Sequence, residues 1–267
     1  MQKRVLIVAG SDSGGGAGIQ ADIKTVTCLG GYAATAITAL TAQNTKGVFG
    51  VLGVDPAFVT QQMTVVLDDI GADAIKIGML HDAAVMEAVG QVLTARATTL
   101  PVVVDPVMVA KGGAPLLDPD SLNVLKRDIL LRADVLTPNL PEAEMLTGMT
   151  VRSVEDMRPA AAMLHSLGPN AVLLKGGHLA ADTIHDVLAW EGGVEVFESE
   201  RIDSAHTHGT GCTLASAIAT GLAQGLDLVP AVKRARDYVL AAIRSAPGLG
   251  GGHGPLNHGH TVRPFEL

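Results

Sequence analysis

His208-Gly209-Thr210-Gly211-Cys212-Thr213 sets two glycines, hydroxyls, a ring nitrogen and a thiol directly before the apolar, Ala-rich run Leu214 to Ala223. Glycines followed by a run without breakers predict a loop feeding the N-terminus of a buried helix. The first N–H groups of a helix have no internal partner, and the helix dipole adds positive potential there. Glycines let the backbone come up against an oxyanion. Cys212 falls in the first turn, where a thiolate is stabilised. An anion-cradling turn beside a reactive group suggests phosphoryl transfer. The plainer alternative is a glycine turn before a core helix with a small buried cysteine.

Other candidates are spread along the chain. Gly10-Ser11-Asp12-Ser13-Gly14-Gly15-Gly16-Ala17-Gly18 fits neither a dinucleotide fingerprint nor a Walker A loop, because its glycines run consecutively and no Lys-Ser/Thr closes it. It reads as a flexible polar loop admitting a ligand close to backbone, or as a plain turn between strand and helix. Asp105, and Asn139 with Glu142, sit at predicted strand ends, where acidic oxygens suit Mg²⁺ held by one or two carboxylates plus phosphates. Asn139 and Glu142 equally fit a helix capping box, and the two roles can coexist. Lys175 at another strand end could neutralise a nucleotide phosphate or simply be solvated. His206, His208, His253, His258 and His260 match no zinc spacing and read as structural or exposed.

The elements that must position these residues alternate. Strands are predicted at Val5 to Ala9, Tyr32 to Leu40, Val48 to Val54, Ala74 to Ile77, Val102 to Val104, Val135-Leu136 and Ala171 to Leu174. Helices are predicted from Ile19, Pro56, Ala83, across Ser121 to Leu131, and around Met157 to Leu167. Ile184 to Trp190 and Val194 to Glu198 form a hairpin, and helices over Cys212 to Gln224 and Pro230 to Arg244 follow. Alternation means βαβ units and a mostly parallel sheet, with ligands bound beyond the carboxyl ends of its strands. The polar and glycine-rich segments fall at those ends. The expected fold is α/β, a single domain over 1–267, with helices on both faces. The glycine-rich stretch from Gly248 to His258 reads as a lid or a loop.

Composition narrows the partners. Of 267 residues, 48% are hydrophobic but only 3% aromatic, so the core is aliphatic. Lys plus Arg total 19 against Asp plus Glu 27, a formal charge of −8 without a long basic run, which argues against nucleic acid. No apolar stretch suits a signal peptide or a membrane span. Cys28 and Cys212 make no disulfide framework, which fits a reducing cytoplasm.

Taken in order, these segments resemble the hydroxymethylpyrimidine and hydroxymethylpyrimidine-phosphate kinases of thiamine biosynthesis, within the ribokinase-like superfamily. The likeness runs through Ala9 to Asp22, Thr38 to Thr45, Lys76 to Leu80, Val104 to Lys111, Leu136 to Glu144, Thr207 to Thr213 and Gly254 to His258. It implies a three-layer sandwich and an ATP- and Mg²⁺-dependent kinase acting on 4-amino-5-hydroxymethyl-2-methylpyrimidine and then on its monophosphate. It further implies that Gln43 hydrogen-bonds the aminopyrimidine, with Asp22, Met79, Val107 and the Gly10 loop around it. Gly209, Thr210, Gly211 and Cys212 would form the anion hole. Asp105, Asn139, Glu142 and Lys175 would serve the nucleotide, with Asp105 and Glu142 organising Mg²⁺. Cys212 stands where most of the superfamily has an aspartate base. Lys111-Gly112-Gly113 departs from a more usual Lys-Ser-Gly in a loop that could cover the site. The relatives are homodimers. Rival readings are a pyridoxal or pyridoxine kinase and a non-catalytic binding protein on the same fold.

Overall fold

Val5, Leu6, Ile7, Val8 and Ala9 are fully buried, and alternate side chains enter two different cores: Leu6 and Val8 on one side, Val5, Ile7 and Ala9 on the other. A strand covered on both faces explains this unbroken apolar run. The computed structural model describes residues 1–108 and 119–263. Its strands are β1 (Arg4–Asp12), β2 (Tyr32–Asn44), β3 (Gly47–Gly53), β4 (Ala74–Ile77), β5 (Val102–Val104), β6 (Val135–Leu136), β7 (Ala171–Lys175), β8 (Thr183–Trp190) and β9 (Gly193–Glu200). The helices are α1 (Gly18–Cys28), α2 (Pro56–Asp69), α3 (Ala83–Arg96), α4 (Pro119–Val124), α5 (Leu140–Thr147), α6 (Val154–Ser166), α7 (Thr210–Ala223) and α8 (Leu228–Arg244).

Among the described residues the strands form one sheet in the order β3-β2-β1-β4-β5-β6-β7-β8-β9. The stretch from β2 to β7 is parallel; β3, β8 and β9 are antiparallel. Helices α2, α3, α5 and α6 pack on one face, and α1, α7 and α8 on the other. The expected sandwich and the edge hairpin of β8 and β9 are both present. The order of strand addition reverses at β1, which lies between the parallel β2 and β4, so the crevice for a ligand opens at their carboxyl ends.

One predicted helix differs. Over Ser121 to Leu131 the chain makes α4, then a single wide π turn over Leu125–Ile129, then a 3₁₀ turn over Leu130–Arg132. The changes of pitch bring Leu125, Ile129 and Leu130 all into the core. Lys111-Gly112-Gly113, expected in a loop over the site, lies outside the described residues. No helix among the described residues is long and apolar enough to cross a membrane.

One charge lies inside the sheet. Ile75 and Ile77 face the first core, so the two-residue period turns Lys76 to the side of α1 and α7. There its ammonium, 0% exposed, lies 2.8 Å and 2.9 Å from the carboxylate oxygens of Asp22, also 0% exposed. Ser216 of α7 donates to the same carboxylate at 2.7 Å. Burial alone would strip the proton from Lys76, but the Asp22 charge outweighs it, and the ammonium holds its proton more tightly than a free lysine. Removing one partner strands the other charge in the interior. Lys76→Met should therefore lose about 3–5 kcal/mol in urea unfolding, while Asp22→Leu/Lys76→Met should recover much of the loss. A single variant within about 1 kcal/mol of the parent would contradict a buried ionic pair.

Candidate active site

Six strand or helix ends converge on the crevice. Gly10 lies near the end of β1 and Ser13 to Ala17 follows it, Gln43 lies at the end of β2, Met79 follows β4, Asp105 follows β5, Asn139 follows β6, and Lys175 ends β7. Gly209 caps α7 from across them, in the left-handed region at φ 83° and without a side-chain cap. A Cβ at Gly209 would collide with the Gly16 carbonyl oxygen, so only glycine allows the two turns to pass so closely. The open first turn of α7 is the anion-binding geometry that the sequence suggests.

The turn lies directly over a charge pair. Lys175 donates to Asp105 at 2.9 Å, and a Cβ built on Gly211 would stand 3.1 Å from an Asp105 oxygen and 3.2 Å from the Lys175 nitrogen. Thr137 donates to Asp105 at 3.3 Å. Lys175 is thus ion-paired rather than merely solvated. Asn139 and Glu142 form a full capping box at the start of α5, with Asn139 accepting from the Glu142 N–H at 2.9 Å and Glu142 accepting from the Asn139 N–H at 2.8 Å. Burial, helped by the nearby Asp105 charge and opposed by Lys175, lifts the Glu142 carboxyl to about 7. Capping leaves that carboxyl within the electrostatic reach of Asp105 and Lys175.

Three expectations need correction. Cys212 is not a stabilised thiolate here. Burial pushes its thiol up to about 12, and the Asp22 and Asp105 charges add to this against Lys76 and a hydrogen bond from the Gly18 N–H. Burial and the neighbouring carboxylates outweigh the helix terminus for the thiol itself. The Gly10 loop is not an unconstrained cradle. Asp12 accepts from the N–H groups of Gly14, Gly16 and Ala17 at 2.8 Å, 3.0 Å and 2.8 Å, so the loop already wraps an anion of its own. Burial opposes the charge on Asp12, but His208 and those N–H groups hold its carboxyl below the usual carboxylate range. Asp22 does not line the ring pocket; it is consumed by Lys76 and Ser216 beneath it.

The remaining substrate candidates gather at the crevice. A Cβ on Gly10 would touch the Met79 sulfur at 3.4 Å, Met79 and Val107 are half-buried, and Thr38 holds the Met79 carbonyl at 2.6 Å. The Gln43 side chain reaches His208 at 3.2 Å. The stretch from Gly248 to His258 is a strap: His253 donates to the Thr45 carbonyl at 2.8 Å, His208 donates to the Gly254 carbonyl at 3.1 Å, and Leu256 and His258 are buried. His258 meets Thr213 at 3.0 Å, and burial, with Lys24 and His260, lowers its imidazole to about 4. Asp12, Lys76, His208 and Ser216 received no site role from the sequence. Lys76 carried a signal, as the one charge in an otherwise apolar four-residue strand.

A family model described as phosphomethylpyrimidine kinase matches residues 12–257. The chain belongs to this family. A hydroxymethylpyrimidine/phosphomethylpyrimidine kinase of Streptomyces coelicolor is 48% identical over 97% of the chain and 95% of its own length. A thiamine biosynthesis bifunctional protein of Geobacter sulfurreducens is 56% identical over 95% of the chain, which spans only 52% of that longer relative. A phosphomethylpyrimidine kinase structure from Clostridium difficile superposes with a TM-score of 0.81 at 39% identity, covering 91% of this chain and all of that one (100%). A Bacillus subtilis pyridoxal kinase solved as an ADP complex gives 0.89 at 36% identity, covering 97% and 98%. The fold is ribokinase-like and the chain is a phosphotransferase.

Glu142 links stability to pH. Its folded value near 7 lies above the ordinary 4.5, so its stabilising contribution is full below about pH 4.5 and is lost as pH rises through about 7. Glu142→Gln should therefore gain on the parent by about 1–3 kcal/mol between pH 5 and pH 8 in urea unfolding; a pH-independent difference would refute the raised carboxyl. Iodoacetamide at pH 8 should label Cys212 at least about tenfold more slowly than a free thiol, as read by mass spectrometry. Labelling at the free-thiol rate would mean that the thiol is not held protonated.

Proposed function

We propose that this chain transfers the γ-phosphoryl group of ATP to the hydroxymethyl group of 4-amino-5-hydroxymethyl-2-methylpyrimidine, and then phosphorylates the monophosphate to the diphosphate, acting as one kinase domain over 1–267 in the cytoplasm. The observation that carries this reading is the placement of the open α7 turn against the Asp105–Lys175 pair. Fixed donors and a cation stand together where charge builds up on a transferring phosphoryl group.

In this reading Gly209, Thr210 and Gly211 present backbone N–H groups to the phosphoryl oxygens, and Lys175 neutralises the nucleotide phosphates. Asp105 and Glu142 fit Mg²⁺, since two carboxylates next to bound phosphates suffice for an ion that keeps several waters. When bound, Mg²⁺ supplies charge neutralisation across the phosphates. Asn139 holds the start of α5 so that Glu142 faces the nucleotide. Gln43 reads the aminopyrimidine edge, with Gly10, Met79 and Val107 around the ring.

Cys212 sits where the substrate hydroxyl loses its proton. The Cys212 thiol keeps its own proton and so cannot take another. In this reading it positions the substrate hydroxyl, whose proton passes late to a phosphoryl oxygen as the new P–O bond forms, since a loose transition state needs little base strength early on. The homodimer implied by the family resemblance is supported by the apolar surface of β2 and β3, where Phe49 is 72% and Leu52 is 66% exposed.

The deciding assay is Mg²⁺-ATP turnover with the pyrimidine, its monophosphate and pyridoxal in parallel. Turnover of both pyrimidines well above pyridoxal is expected. Dominant pyridoxal turnover would move the protein to vitamin B6 salvage, the reading suggested by its pyridoxal kinase neighbours. Cys212→Ala should lose much but not all of the activity and Cys212→Asp should retain part; an Ala variant equal to the parent would remove the thiol from the mechanism.

A further inference from the structure

His208 sits behind Gln43 rather than in the anion turn itself. Its Nε2 lies 3.1 Å from Oδ2 of Asp12 and 3.2 Å from the Gln43 amide. The other end of that amide lies 3.1 Å from the Thr41 hydroxyl, which is also 3.0 Å from the Ser11 carbonyl. A few atoms thus form a chain from Asp12 to Ser11, and the donors and acceptors along it can be counted.

Asp12 is an ionised carboxylate saturated by backbone N–H groups, and it can only accept. Nε2 of His208 must therefore carry a hydrogen. At the far end, the Ser11 carbonyl can only accept, so the single Thr41 hydrogen goes to it. Turning the Gln43 NH₂ toward His208 would set a donor against a donor, and would leave its oxygen facing a hydroxyl whose only hydrogen is already used. The opposite orientation satisfies every group. Gln43 Oε1 then shares the His208 hydrogen with Asp12, and Gln43 Nε2 donates one hydrogen to Thr41. One N–H and one oxygen lone pair of the amide remain for a ligand. Amide ends are assigned by such hydrogen-bond networks.

We infer that His208, fixed by Asp12, is a positioning residue that locks the Gln43 amide in this orientation and thereby selects a ring bearing an amino group next to a ring nitrogen. That edge offers a donor beside an acceptor, the complement of what Gln43 has left. The phenolic oxygen and aldehyde of pyridoxal offer neighbouring acceptors, and one of them would face the amide oxygen. A wrongly faced amide loses one hydrogen bond, about a tenfold effect. The inference rests on the aminopyrimidine reading of the site.

Two measurements test it. Two-dimensional ¹⁵N–¹H NMR of the whole protein, with His208→Gln to assign the ring, should show His208 protonated at Nε2; an unprotonated Nε2 would overturn the inference, whatever the substrate. In turnover assays, His208→Ala should lower the ratio of pyrimidine to pyridoxal kcat/KM by about tenfold, chiefly through KM for the pyrimidine. His208→Gln, whose amide N–H can stand near the position of Nε2, should recover most of the ratio. A parent that turns over the pyrimidine together with an Ala variant holding the ratio within about twofold would overturn the inference alone. A parent without pyrimidine turnover would overturn the proposed function.

Discussion

The Asp22–Lys76 pair joins three elements that share no other charge. It ties the strand next to the switch point, β4, to α1, and through Ser216 to α7. One helical turn above Asp22 lies Gly18, and one turn above Ser216 lies Cys212; the Gly18 N–H and the Cys212 sulfur meet there. The contact between thiol and loop is thus stacked on a polar contact between the same two helices. The charge pair adds a directional contact to the apolar packing of Leu214, Ile218 and the alanines of α7. With it, the first turn of α7 has one register relative to the sheet.

That arrangement also explains why the site is costly in electrostatic terms. Asp22, Asp105 and Glu142 crowd negative charge around a helix start that favours anions, and among the described residues Lys76 and Lys175 answer it. The consequences are a thiol that keeps its proton and a carboxyl that ionises only near neutrality. An incoming polyphosphate with its cation would redistribute the same charges.

Much of the fold was legible because the signals were local. The short apolar runs became β1, β4, β5 and β6 because both faces of the sheet are covered, and Asn139 with Glu142 formed the capping box that their spacing announced. What the sequence hid was long-range pairing. The partner of Lys76 lies 54 residues away, and that of His208 lies 196 residues away. No periodicity shows that Asp12 occupies its own loop, or that burial outweighs the helix dipole at Cys212. The pitch changes after α4 were equally hidden, since they answer to packing against α3.

The strap from Gly248 to His258 has a bearing on how the site comes into being. It pins Thr45 and His208 through backbone hydrogen bonds, and Tyr238 holds the His258 carbonyl. The Gly10 loop leaves the ribosome early and must wait 196 residues for His208, and longer for the strap that holds His208 in place. The crevice is therefore assembled from both ends of the synthesis, and a nascent chain with its sheet already formed would still have no anion-binding turn to show a nucleotide.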